Sequence, residues 1–331
     1  MGKTSILRNL GARFGRDTVV VPFTMQRIGR VRDTGELLLA MAEWIGDALA
    51  NAGLPAPGEP DEAAFAHSPY RAFNAYLAAI RGAVGRRRVI LTIDEFEAIE
   101  EAIGDGRVEA DLLAYLRGVI QSEPWLVLAF AGLHTLQEMS GDYWNPLFGS
   151  VMPIKVGFLS PATSANLLAN PTDDFPLDFT RAAAERVYDH VRGQPYLTQL
   201  VGHTLVSRYN RDRFEEQRAR EPRFTPEDVD EVIASDEFYE VGDAYFSGVW
   251  GQGGDRKAPG QHALLLALAR AQAAVAVETL AERAGLSLDV AAVALEALER
   301  HDVVAQSDGR VDFTVPLLRR WLRHNKIADR Q

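Results

Sequence analysis

The run Arg88-Val89-Ile90-Leu91-Thr92-Ile93-Asp94-Glu95 constrains the fold more than any other stretch of the chain. Its apolar residues do not alternate with polar ones, which predicts a strand covered on both faces, as in the interior of a parallel sheet. The strand then stops at two acids. That puts paired carboxylates at its C-terminal edge, where open α/β sheets hold their ligands. Neighbouring segments fit the same plan: "DTVVVPF" (17–23) and "WLVLAFAGL" (125–133) read as strands. "MPIKVGFLSP" (152–161) reads as a further strand-like element, closed by Ser160 as an N-cap and Pro161 at the first helical position. Helical patterns at 34–53, 70–84 and 108–121 separate them, with Gly53 ending the first and the Pro-rich "LPAPGEPDEAAFAHSP" as a connector. Strands separated by helices predict an α/β fold, a parallel sheet with helices on both faces.

From about 162 to 247 strand signals vanish and helices follow one another, one of them started by Thr225 as cap and Pro226 in the first turn. "GVWGQGGDRKAPG" (248–260) reads as a Gly-rich linker, because no strand precedes its glycines. The last segment predicts three helices (261–272, 276–284, 287–300) and two short strands joined across "SDGR", a winged-helix plan with Gly285 in the turn of a helix-turn-helix. The expected organisation is an α/β domain over 1–161, an all-α domain over 162–247 and a winged helix over 258–331.

At 331 residues and 47% hydrophobic content, the chain is large enough to bury several cores. No apolar run approaches the length of a membrane span and no leader pattern opens the sequence, so the expected setting is cytoplasmic, with no membrane partner. The absence of cysteine excludes disulfides, thiolate metal sites and cysteine nucleophiles. The net charge of -11 argues against a surface built throughout for nucleic acid. The second helix of the turn carries Glu296, Glu299 and Arg300, a composition suited to packing against protein, whereas Arg319, Arg320 and Arg323 form a candidate basic patch.

"MGKTSIL" opens the chain, and Gly2-Lys3-Thr4 matches the second half of the phosphate-binding pattern G-x-x-x-x-G-K-[ST]. The tripeptide has two readings, the tail of such a loop or an ordinary helix start. Asp94-Glu95 also has two, a metal-and-water pair or a solvated strand end before an acid-capped helix that continues with Glu97, Glu100 and Glu101. Their occurrence together, in this order, favours the phosphate-binding reading of both.

With these motifs the sequence resembles P-loop ATPases of the AAA-like and STAND kind, close to archaeal-type ATPases with a C-terminal winged helix. The resemblance covers nearly the whole chain and rests on "MGKTSIL", "VILTIDEFE", "LVLAFAGL", "VGFLSP" and "GQPYLTQL". It implies ATP/ADP and Mg2+ as cofactors, with Gly2, Lys3, Thr4 and Ser5 on the phosphates, and Thr4 and Asp94 at the metal. It also implies Glu95 as the residue that orients water, and Pro195, in the Gly193-Gln194-Pro195 turn, against the base. His134 and Thr135 stand where the family places a sensor of the γ-phosphate. Arg27, Arg30, Arg86, Arg87 and Arg88 are arginine-finger candidates between which nothing chooses. The resemblance further implies that the first glycine of the loop and the strand before it are missing, as if the sequence were cut within the Walker A motif: either the true start lies upstream, or the sheet rearranges and the cradle is lost.

The expected function is a regulatory ATPase module, in which slow hydrolysis of ATP to ADP and phosphate shifts an all-α lid and a winged helix and promotes self-association or protein binding. Two other classes stay open, a DNA-associated loader resembling transposition-helper ATPases, and a degenerate interaction scaffold that does not hydrolyse ATP.

Overall fold

A computed structural model of the chain describes residues 2–55, 58–132, 147–252 and 258–327. Residue contacts divide it into two compact units, Gly2–Val156 and Gly157–Gln331.

The first unit begins with short helices α1 (Lys3–Asn9) and α2 (Gly11–Phe14), followed by β1 (Thr18–Thr24) and α3 (Met25–Ile28). Then come α4 (Thr34–Asn51), α5 (Glu62–His67), α6 (Pro69–Val84), β2 (Arg88–Asp94), α7 (Glu97–Gly104), α8 (Leu112–Ser122) and β3 (Leu126–Ala131). The strands form a parallel sheet in the order β1-β2-β3. The register pairs Thr24 with Asp94 and Asp94 with Ala131, so all three strands end level at their C-terminal edge. β2 lies in the middle, with every residue from Val89 to Asp94 buried, as its unbroken apolar run requires.

Helix α4 shows how sequence becomes packing here. Asp33 caps it by accepting from the Glu36 N–H at 2.8 Å, and Glu36 accepts from the Arg32 N–H at 2.7 Å. Leu37, Leu38, Met41, Ile45 and Leu49 recur at helical spacing and are all buried, and Phe23 of β1 meets Trp44 edge-on at 5.3 Å.

The second unit is mostly helical: α9 (Pro161–Ala169), α10 (Arg181–Val191), α11 (Pro195–Asn210), α12 (Pro226–Ala234) and α13 (Asp236–Gln252), with a two-residue pairing of β4 (Asp178–Phe179) and β5 (Arg223–Phe224). Side chains of Ser160, Thr180, Gln194 and Thr225 cap four of these helices, the last in a capping box with Asp228. Next come α14 (Gln261–Arg270), β6 (Val275–Ala276), α15 (Val277–Ala284), α16 (Leu288–Arg300), β7 (Val304–Ser307), β8 (Arg310–Phe313) and α17 (Pro316–Leu322). The strands form an antiparallel sheet in the order β6-β8-β7, and Gly285 takes the left-handed conformation (φ 68°) between α15 and α16. One continuous core runs from Leu168 to Leu322, and Phe246 of α13 stacks on Trp321 of α17 at 5.6 Å.

An α/β parallel sheet followed by a predominantly helical region is therefore the observed class. Three expectations need correction. Residues 152–161 form no strand: among the described residues none pairs with them, and Met152 and Ile154 are 81% and 77% exposed. Extended backbone without a ladder partner is only coil. The Pro-rich connector contains α5, because Asp61 accepts from the N–H groups of Ala63 and Ala64 and Phe65 is buried. The Gly-rich segment from 248 continues α13 as far as Gln252, with residues 253–257 outside the described part.

Gly193 sits at φ 75°, and a Cβ there would lie 2.1 Å from the Leu159 carbonyl oxygen. Left-handed strain and the clash add, so Gly193→Ala is expected to destabilise the second unit by about 2–4 kcal/mol, read as a lower urea midpoint. An unchanged midpoint would contradict the close approach of these two segments.

Candidate functional site

The parallel register brings the C-terminal ends of all three strands to one edge, and the acids of β2 are held there in different ways. Asp94 is 9% exposed. A carboxylate so nearly buried needs partners. Its Oδ2 accepts from the Thr4 hydroxyl at 2.6 Å and its Oδ1 from the Glu95 N–H at 3.2 Å. The chain then turns sharply: Glu95 adopts φ 61°, a left-handed conformation that costs a residue with a Cβ about 1–2 kcal/mol. The turn lets the Phe96 N–H donate to the Ala131 carbonyl at 3.0 Å and seats Phe96 edge-on to Phe130 at 4.9 Å.

This turn directs the Glu95 carboxylate toward β1. Its Oε2 accepts from the Gln26 N–H at 3.2 Å and from the Thr24 hydroxyl at 3.4 Å. Glu97 occupies the space beyond β3, where a Cβ on Gly132 would lie 2.5 Å from its carboxylate oxygen. Three carboxylates thus gather at the edge. Among the described residues, no group of three or more His, Asp or Glu is placed to hold a metal on its own.

Helix α1 brings Thr4 to this edge although it buries none of its residues. Gly2 stands before it in the left-handed conformation (φ 74°), no side chain caps it, and the Ile6 N–H donates to the Gly2 carbonyl at 2.9 Å. Lys3 is half-buried and Ser5 exposed on the same first turn. The structure therefore brings Gly2, Lys3, Thr4 and Ser5 to the helix that meets Asp94, with Glu95 next in the chain. A hydroxyl and a carboxylate oxygen in contact are hard donors of the type Mg2+ takes, and Mg2+ completes its shell with water and phosphate oxygens rather than with a full protein cage.

Pro195 belongs to the second unit. There Arg192 (φ 50°) and Gly193 end α10, and Pro195 opens α11 behind the Gln194 cap, whose Oε1 accepts from the Leu197 N–H at 2.6 Å. His134 and Thr135 lie outside the described residues. Among the arginine candidates, Arg27 lies over the Trp44 ring at 4.9 Å and Arg30 pairs with Asp105 at 3.8 Å. Arg86, Arg87 and Arg88 are exposed at the N-terminal end of β2, a strand length of about 20 Å from Asp94.

The candidate basic patch changes character. Arg319 is paired with Asp312 and lies over the Phe313 ring at 5.3 Å, and Arg323 donates to the carbonyls of Ala269 and Ala271 at 2.5 and 2.8 Å. Of the triad, Arg320 alone makes no such contact among the described residues. The outward side of α16 carries Leu288, Val290 and Val293 with Glu296, and Glu299 accepts from the Gln306 backbone and side chain at 3.3 Å.

Thr24 and Gln26 were not apparent as site residues in the sequence. Aligning the ends of the two apolar strands, "VVVPFT" and "VILTID", would have set Thr24 beside Asp94, but only the backbone turn at Glu95 reveals the contact.

No protein-family profile matches the chain, and no curated protein matches it. Among solved structures, a Walker-type ATPase of Pyrococcus abyssi superposes with a TM-score of 0.68 at 16% identity, over 97% of this chain and 88% of that one. The RuvB Holliday junction branch migration motor of Thermotoga maritima is similar over 90% of this chain and 98% of its own at 15% identity. Its TM-score is 0.36, too low to bear on the fold. The first likeness shows the fold alone: an α/β parallel sheet followed by a mostly helical region.

Proposed function

We propose that the chain is an ATP-binding regulatory module that hydrolyses ATP slowly. In this reading Gly2, Lys3, Thr4 and Ser5 face the phosphates, Lys3 supplies positive charge, Thr4 and Asp94 share the Mg2+ shell, and Glu95 orients the attacking water. Mg2+, when bound, neutralises phosphate charge; the protein's own part is to hold Thr4 and Asp94 together and to keep the Glu95 carboxylate on Thr24 and Gln26. The turn at Gly193-Gln194-Pro195 serves the base, and α14 to β8 act as a winged helix. A change of nucleotide shifts the balance between arrangements of the domains, as expected of the STAND-like proteins that the sequence resembles.

One observation carries this reading: the 2.6 Å hydrogen bond from the Thr4 hydroxyl to the Asp94 carboxylate, between residues 90 positions apart. Helix α1 buries none of its residues, so its main tie to this edge is polar. The Walker-type ATPase of similar fold supports the same chemistry. The pairing of Arg319 with Asp312 lowers the free charge of the candidate basic patch, which makes the DNA-associated reading the weaker one.

Binding is tested by melting temperature. With Mg·ATP at a hundred times its Kd the protein gains about 2.7 kcal/mol, visible as a rise of a few degrees. Lys3→Ala and Asp94→Asn are each expected to abolish that rise; a full rise in both would refute the site. Hydrolysis is tested separately. Glu95→Gln is expected to retain the rise while phosphate release falls about 100-fold or more. Phosphate release at the wild-type rate in Glu95→Gln would remove Glu95 from the chemistry.

A further inference from the structure

The second unit has a cleft of about 380 Å³ that the nucleotide reading does not use. It is lined by Ala234, Asp236 and Tyr239 on one side and by Arg320, Arg323 and His324 on the other. The cationic side chains come from α17 and the π-helical turn Arg323–Ile327 that continues it. Arg320 and His324 are four positions apart, so they share one face of the turn.

The charges around this cleft are not balanced internally. Arg323 is fixed by the carbonyls of Ala269 and Ala271, which leaves its charge in place without a carboxylate. Arg320 has no ion pair among the described residues. Asp236 is the single acid of the lining, mostly exposed, with Oδ1 4.0 Å from His324 Nε2.

A second, independent feature points the same way. Tyr239 is 8% exposed, its ring is stacked against His324 at 6.4 Å, and its buried hydroxyl has no hydrogen-bond partner among the described residues. An unmet buried donor is costly. Burial pushes this hydroxyl up to about 12, so it keeps its proton at neutral pH, while Arg320 acts in the opposite direction.

We infer that this cleft is a binding site for a phosphate group, either inorganic phosphate or the phosphate of a small ester, held chiefly by the exposed Arg320, with Arg323 supplying further charge and the His324 and Tyr239 rings completing the lining. The guanidinium fork of Arg320 matches a phosphate edge in a way that a point charge does not. The volume exceeds that of a bare anion and lies at the small end of ligand pockets, which leaves room for a carrier. This site belongs to the second unit alone and is independent of Lys3, Thr4 and Asp94.

The test is a calorimetric titration of the whole chain with inorganic phosphate and with glycerol phosphate at constant ionic strength. It is carried out in the Lys3→Ala variant so that the nucleotide site does not contribute. Saturable binding is expected, weakened about tenfold or more in Arg320→Gln and tightened in Asp236→Asn. Tighter binding of the ester than of the free ion would identify an ester as the ligand, and equal binding would identify free phosphate. Absence of saturable binding, or an affinity unchanged in Arg320→Gln, would overturn the proposal. Arg320 and Asp236 are both exposed, so neither substitution is expected to unfold the protein.

Discussion

The rest of the first unit depends on the double pairing of β2. Hydrogen-bonded on both edges and buried from Val89 to Asp94, this strand cannot shift without breaking both ladders. Its last residue is nevertheless an acid. A nearly buried carboxylate at the end of an immobile strand must be satisfied from outside the sheet, and the Thr4 hydroxyl and the Glu95 N–H do so. The same constraint sets the turn that follows. To leave the sheet level with Ala131, the chain passes through a left-handed Glu95, and that turn carries the second carboxylate to Thr24 and Gln26. Local strain at a residue with a Cβ, at the ligand edge of an α/β sheet, suits a functional site better than a purely structural one.

Much of the fold was legible because periodicity and burial agree. The apolar runs at 18–24, 88–94 and 126–131 are strands, the central one buried on both faces and the outer two only in part, and Leu37 to Leu49 form a helix because their spacing builds one buried stripe. What failed was what depends on partners. "MPIKVGFLSP" has the composition of a strand, but pairing, not composition, makes one, and its Leu159 N–H instead donates to the Gly193 carbonyl at 2.8 Å. Helix α5 was hidden by the surrounding prolines, although Asp61 as cap and Phe65 as anchor were both present in the sequence.

The candidate site was legible to a different extent. Residue type and order pointed to Lys3, Thr4, Asp94 and Glu95, and the Thr4–Asp94 hydrogen bond joins two of them. The hold of Thr24 and Gln26 on Glu95 depends on one backbone torsion, which no local pattern encodes. The triad Arg319, Arg320 and Arg323 shows the opposite limit. Clustering in sequence suggested one shared basic surface, yet Arg319 is engaged by Asp312, and Arg323, held by two backbone carbonyls, lines a cleft together with Arg320.

The central claim is that Thr4 and Asp94 meet in order to share a metal on a nucleotide's phosphates, and calorimetric titration of ATP with and without Mg2+ tests it most directly. The account predicts saturable one-site binding that tightens when Mg2+ is added, with the tightening lost in Thr4→Ala. Binding of ATP equally strong without Mg2+, or no binding in either condition, would contradict it.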